Sequence, residues 1–140
     1  MRGKLLFLST LSLVFLVGST NINASSTKHK NDYISLYNAH DKKIKTITSK
    51  KSIEYLSDFA GDVSGNKKGI HKKQPNKAKL AYKYVFHSGK KHKISYKLNL
   101  YVYPNVNKIK MTNLPVVSNG VWSINKKQMH KLGNPEKYFD

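Results

Sequence analysis

Lysine, far more than any catalytic side chain, dominates the chemistry open to this sequence. Lys79, Lys83, His87, Lys93 and Lys97 recur at intervals that place them on one face of a β-hairpin, with Val85, Tyr101 and Tyr103 among them. Even spacing along a strand keeps side chains on one side. Lys67, Lys68, Lys72 and Lys73 add a second basic cluster in the segment just before. Over 140 residues there are 26 Lys+Arg against 7 Asp+Glu, a formal charge of +19, and Arg2 is the lone arginine. Such an imbalance points to anionic partners. The choice of lysine narrows the mode of binding. Arginine offers a planar, two-pronged grip on bases and phosphates, whereas lysine is a compact point charge. A lysine carpet gives non-specific, salt-sensitive attraction through counterion release.

Other chemistries find little support. Cysteine is absent, and no G-x-S-x-G or recognisable Ser–His pair appears, so nucleophilic catalysis lacks its parts. The six histidines, His29, His40, His71, His87, His92 and His130, show no HxH or HExxH spacing of the kind that holds a metal. His87 and His92 alone are expected to approach each other, across a hairpin turn. Glu54, Asp58 and Asp62 share one helix face and read as a solvated acidic stripe. No GxxxxGK[ST] or GxGxxG loop is present to cradle a phosphate. Small exported ribonucleases use a glutamate base, a histidine acid and arginines on the phosphate. Beyond Arg2 this chain has only lysine, and its glutamates are Glu54 on a helix and Glu136 near the end. The expectation is a non-enzymatic protein without a cofactor.

The amino terminus reads as an export signal. Arg2 and Lys4 precede an apolar run, Leu5 to Val17, too short to span a bilayer. Gly18, Ser19 and Thr20 follow, and Ala24 offers a cleavage point. Cleavage there leaves a polar tether, 25–31, and one domain, 32–140, of a length suited to a single core. Losing Arg2 and Lys4 lowers the charge only from +19 to +17. With no disulfide available, the exported domain rests on its core alone.

The elements that must position the lysines follow from periodicity. Tyr33–Asn38 alternates as a strand, with Ile34 and Leu36 to one side. A turn at Ala39–Lys42 leads to a second strand, Lys43–Thr48, with Ile44 and Thr46 on one face and Lys45 and Ile47 on the other. Ser49 caps a helix whose stripe is Ile53, Leu56, Phe59, Ala60 and Val63, with Tyr55 at its edge, ending at Gly61 or Gly65. Gly61 to Lys79 reads as a long basic loop without regular structure.

A hairpin joins Leu80–His87 to His92–Tyr103. Leu80, Tyr82, Tyr84 and Phe86 share a face with Ile94, Tyr96, Leu98, Leu100 and Val102 only if the loop holds an odd number of residues. A loop of Gly89-Lys90-Lys91 sets Phe86 opposite Ile94 and Tyr84 opposite Tyr96. Pro104 ends this strand, and Asn107–Thr112 forms another with Ile109 and Met111 inward. Asn119-Gly120 predicts a tight turn between Val116-Val117 and Val121–Ile124. Trp122 belongs to the core or its edge. Asn125 or Ser123 caps a short helix, Lys126–Leu132, with Met129 and Leu132 inward and Gly133 after it. The final NPEKYFD is expected to be extended.

The order of these elements, and the stretch Asn113–Leu132 above all, resembles small exported proteins of Gram-positive bacteria. The resemblance is architectural and implies no activity and no residue roles. The expected fold is α+β, a curved antiparallel β-sheet of about five to seven strands packed on one amphipathic helix, with a short C-terminal helix. The expected partner is an anionic polymer, such as wall teichoic acid, extracellular DNA or an anionic host glycan, met by a monomer outside the cell or at its wall. An acidic host protein bound by a secreted effector or inhibitor is the alternative, with Tyr33, Tyr37, Tyr101 and Tyr103 as contact residues.

Overall fold

Six antiparallel strands form one open sheet in a computed structural model that describes residues 32–88, 97–114 and 119–140. The segments read from the sequence as an export signal and a tether lie outside those residues. The strands are β1 (Tyr33–Asn38), β2 (Lys43–Ile47), β3 (Tyr82–His87), β4 (Lys97–Tyr103), β5 (Lys108–Thr112) and β6 (Asn119–Ser123). Their spatial order is β2-β1-β3-β4-β5-β6. The helices are α1 (Lys50–Ser64), α2 (Lys126–Leu132) and α3 (Pro135–Tyr138). The protein is therefore α+β, as its alternating strands and single long apolar helix stripe predict.

Period-2 alternation puts most of the buried apolar residues of the strands on one side, while Val85, Tyr103 and Val121 are buried on the other. Ile34, Leu36, Ile47, Tyr84, Leu98, Leu100, Val102, Ile109, Met111 and Trp122 form a single buried cluster with Ile53, Leu56, Phe59 and Ala60 of α1. Met129 and Leu132 of α2 and Phe139 join the same cluster. α1 begins where Ser49 Oγ accepts the Ser52 amide at 3.1 Å, and it runs past Gly61 to end at Gly65. α2 begins with a reciprocal capping box between Asn125 and Gln128. The buried Tyr84 hydroxyl donates to the Leu132 carbonyl at 2.7 Å, tying β3 to the end of α2.

Five details depart from the sequence expectation. First, Phe86 pairs with Leu98 and Tyr84 with Leu100, rather than with Ile94 and Tyr96. The shift is even, so the faces are preserved, while the connection lengthens to residues 88–96. Gly89–Lys91, His92 and Lys93 lie outside the described residues. Second, Asn119 and Gly120 are strand, paired with Thr112 and Met111. Gly120 is needed for close approach: a Cβ there would lie 2.5 Å from the Gly69 carbonyl oxygen and 2.5 Å from the Trp122 ring. Val116 and Val117 lie outside the described residues.

Third, the 61–79 segment is organised in its first half, whereas residues 72–79 have no helix or strand, as expected. It carries a 3₁₀ turn at Lys67–Gly69 and a bridge from Ile70 to Gly120. Trp122 Nε1 donates to the Asn66 carbonyl at 2.7 Å. A buried indole needs such a partner, and the polar segment supplies it. Fourth, a bulge in the β1–β2 ladder sets Lys43, rather than Ile44, opposite Tyr37; the exposed Ile44 and the fully buried Ile47 keep the opposite faces that the alternation predicts. Fifth, the end of the chain is not extended. α3 turns it inward, Phe139 packs edge-on to Tyr84, and the Asp140 carbonyl accepts from the Thr48 and Ser49 amides.

Candidate functional site

The second face of the sheet gathers the polar alternate residues of the strands. Register arranges them in cross-strand rows. One row runs Lys43, Tyr37, Lys83, Tyr101, Lys110, Val121 across all six strands. Lysine and tyrosine alternate along its first five members. A second row holds Tyr33, His87 and Lys97. Between them lies a row of shorter side chains: Thr46, Ser35, Val85, Asn99, Thr112 and Asn119. Tyr103, Lys108 and Ser123 form a fourth row beyond the first.

The long side chains on this face are tied to one another. Lys83 Nζ lies 4.6 Å from the Tyr37 ring centroid and makes a 2.6 Å salt bridge to Asp41 in the β1–β2 turn. The hydrogen bond to Asp41 holds the Lys83 ammonium above its usual pKa, against the opposing pull of partial burial. Lys110 Nζ lies 5.9 Å from the Tyr101 centroid. Both distances fall within the reach of cation–π attraction. Tyr33 stacks on His87 with centroids 4.3 Å apart and planes 10° from parallel. His87 Nε2 sits 3.2 Å from Ser35 Oγ.

Burial, and then the charges of Lys97 and Lys43, push the His87 pKa down. At neutral pH His87 is therefore a flat, uncharged ring beneath Tyr33 rather than a cation. Tyr33 itself is 39% exposed. Asp41, in the left-handed backbone region at φ 61°, is held by a turn in which Asn38 Oδ1 accepts the amides of His40 and Lys42.

Of the residues singled out in the sequence, Lys83, His87 and Lys97 come together on this face. Lys93 lies outside the described residues. Lys79 does not belong to the face: β3 starts at Tyr82, and Lys79 precedes it in a loop whose amide donates to Asn105 Oδ1. Lys67, Lys68, Lys72 and Lys73 are exposed beside the outer edge of β6, three strands from Lys83. They form a separate basic edge. Tyr103, offered as a contact residue, is buried and hydrogen-bonded to Gln74.

Lys43, Lys108 and Lys110 were missed. Their alternation with Ile109 and Met111, or with Ile47 across the bulge, marks them as outward. Their alignment with the tyrosines is a property of register that no single strand displays. Among the described residues no three His, Cys, Asp or Glu side chains converge as metal ligands, and no helix is long and apolar enough to cross a membrane. The face offers ammonium groups and aromatic rings at fixed intervals, and so electrostatic attraction and stacking. Comparison of the chain with family models, with curated proteins and with solved structures finds no match.

Proposed function

We propose that the protein is an exported, non-enzymatic domain that binds polyanions through the lysine-bearing face of its sheet. Wall teichoic acid, extracellular DNA and anionic host glycans have the required chemistry. The observation that carries this reading is the row in which Lys43, Lys83 and Lys110 alternate with Tyr37 and Tyr101 across five strands. Neighbouring strands lie ~4.8 Å apart, so successive lysines of the row are spaced by roughly 10 Å. That spacing spreads charge along a line, which suits an extended polymer better than a compact ligand. Lys97 and Lys108 flank the row and widen the field.

The basic edge at Lys67, Lys68, Lys72 and Lys73 supports the same reading as a second binding zone. Binding by lysine alone is expected to be sequence-tolerant and to weaken steeply with salt. The test is retention on immobilised heparin, DNA and wall polymer across a salt series. Lys43→Gln with Lys97→Gln and Lys110→Gln should elute at clearly lower salt. Unchanged elution would remove the sheet face as the site.

The exposed Tyr33 and the half-buried Tyr37 and Tyr101 also support a second reading, an acidic protein as partner. A stoichiometric complex that survives ~0.5 M salt, where screening acts within a few ångströms, would favour it.

A further inference from the structure

We infer that the polymer fitted by this face is a single-stranded nucleic acid, held without sequence preference by the Lys43-Tyr37-Lys83-Tyr101-Lys110 row and the Tyr33–His87 stack. The inference rests on the polyanion reading above and narrows it. A polymer of phosphates alone uses only cations. Here every second member of the row is an aromatic ring. Sequence-tolerant binding of single strands combines these two elements, cations that follow the backbone and π-faces on which bases stack.

The rings and cations are already paired. Lys83 Nζ stands over Tyr37 and Lys110 Nζ over Tyr101, so a phosphate drawn to either ammonium arrives beside a ring. Tyr33 rests one face on His87 and is the most exposed of the tyrosines on this sheet face. A base placed on its outer face extends that stack by one layer. A duplex fits less well. Its bases are reached by a helix or a two-stranded ribbon entering a groove, and this row is part of a broad sheet. The absence of arginine beyond Arg2 removes the forks that read guanine, which leaves the recognition indifferent to sequence.

The experiment measures fluorescence anisotropy of a labelled short oligothymidylate at ~0.1 M salt, beside competition by inorganic polyphosphate of matched charge. Tyr33→Ala and Tyr101→Ala should each weaken the oligothymidylate by roughly five- to tenfold, with polyphosphate affinity unchanged. Tyr33→Phe and Tyr101→Phe retain the ring and should bind oligothymidylate as wild type, which separates stacking from any loss of fold in the alanine variants. If both ligands weaken together in the alanine variants, or neither does, or the phenylalanine variants lose oligothymidylate binding, the nucleic-acid assignment is overturned while polyanion binding stands. If the wild type binds neither ligand, the polyanion reading falls with it.

Discussion

Gly69→Ala is expected to be among the most damaging single-methyl additions to this protein. An added Cβ at Gly69 would lie 2.4 Å from both Cδ1 and Nε1 of Trp122 and 2.5 Å from Cε2. Ordinary van der Waals approach between such atoms starts near 3.4 Å, so the indole must retreat by about 1 Å, in a core that resists overpacking. Overpacking of this kind costs about 1–3 kcal/mol. The retreat also breaks the 2.7 Å bond from Trp122 Nε1 to the Asn66 carbonyl, for about 1 kcal/mol more.

The combined loss, about 2–4 kcal/mol, lowers the melting temperature by roughly 10 °C or more in a domain of this size. The assay is urea denaturation of Gly69→Ala, Trp122→Leu and the double variant. Trp122→Leu leaves a cavity and costs about 2–4 kcal/mol by itself. It also removes the atoms that Gly69 Cβ would strike. The double variant should then be no less stable than Trp122→Leu, a coupling as large as the Gly69→Ala loss itself, about 2–4 kcal/mol. Additive losses, or a Gly69→Ala variant as stable as wild type, would refute the packing of the 3₁₀ turn under the indole.

Gly61→Ala provides the opposite case. Its Cβ would meet nothing within 4 Å inside α1, so alanine's helix preference should raise stability by about 0.5–1 kcal/mol in the same urea assay. Tyr84→Phe leaves the buried Leu132 carbonyl without its 2.7 Å donor and should cost about 1–3 kcal/mol, with the α2 amides showing the largest gain in hydrogen exchange. For His87 the folded pKa lies below the unfolded one, so the unfolded chain binds more protons. Its contribution to stability is whole above the unfolded pKa and is lost as pH falls through the folded one. An NMR titration should place the His87 midpoint below the unperturbed ~6.5, and a midpoint above it would contradict the burial and lysine repulsion described. The acid-side fall in stability should be shallower in His87→Asn.

Local signals in the sequence were legible where a few neighbouring residues decide them. β1 over Tyr33–Asn38, the Ser49 cap, the Asn125 cap and the stop at Pro104 follow from alternation, side-chain acceptors and a missing amide. The parity of the β3–β4 hairpin was legible too, since an odd shift would bury Lys83 and Lys97. Its pairing was not. Any even shift keeps the same faces, and lengthening the loop to residues 88–96 adds little closure entropy. Asn119-Gly120 has the composition of a tight turn, yet glycine serves there because the Gly69 backbone and the Trp122 ring approach it. Both neighbours are distant in sequence. Phe139 lies in a short tail with no period to mark it as core. The Lys–Tyr row required the correct register of five strands at once. Of its members, Lys83 and Tyr101 were visible beforehand as residues of one hairpin face and Tyr37 as a separate contact tyrosine, with nothing to join them.

The salt dependence of oligothymidylate binding reports how many phosphates the sheet-face lysines neutralise. For single strands the slope of log K against log salt becomes shallower by about 0.7 for each phosphate that the protein no longer neutralises. Lys43→Gln with Lys97→Gln and Lys110→Gln should make the slope shallower by about two units, with the melting temperature unchanged. A slope equal to that of the wild type would show that the lysines of the sheet face do not meet the polyanion.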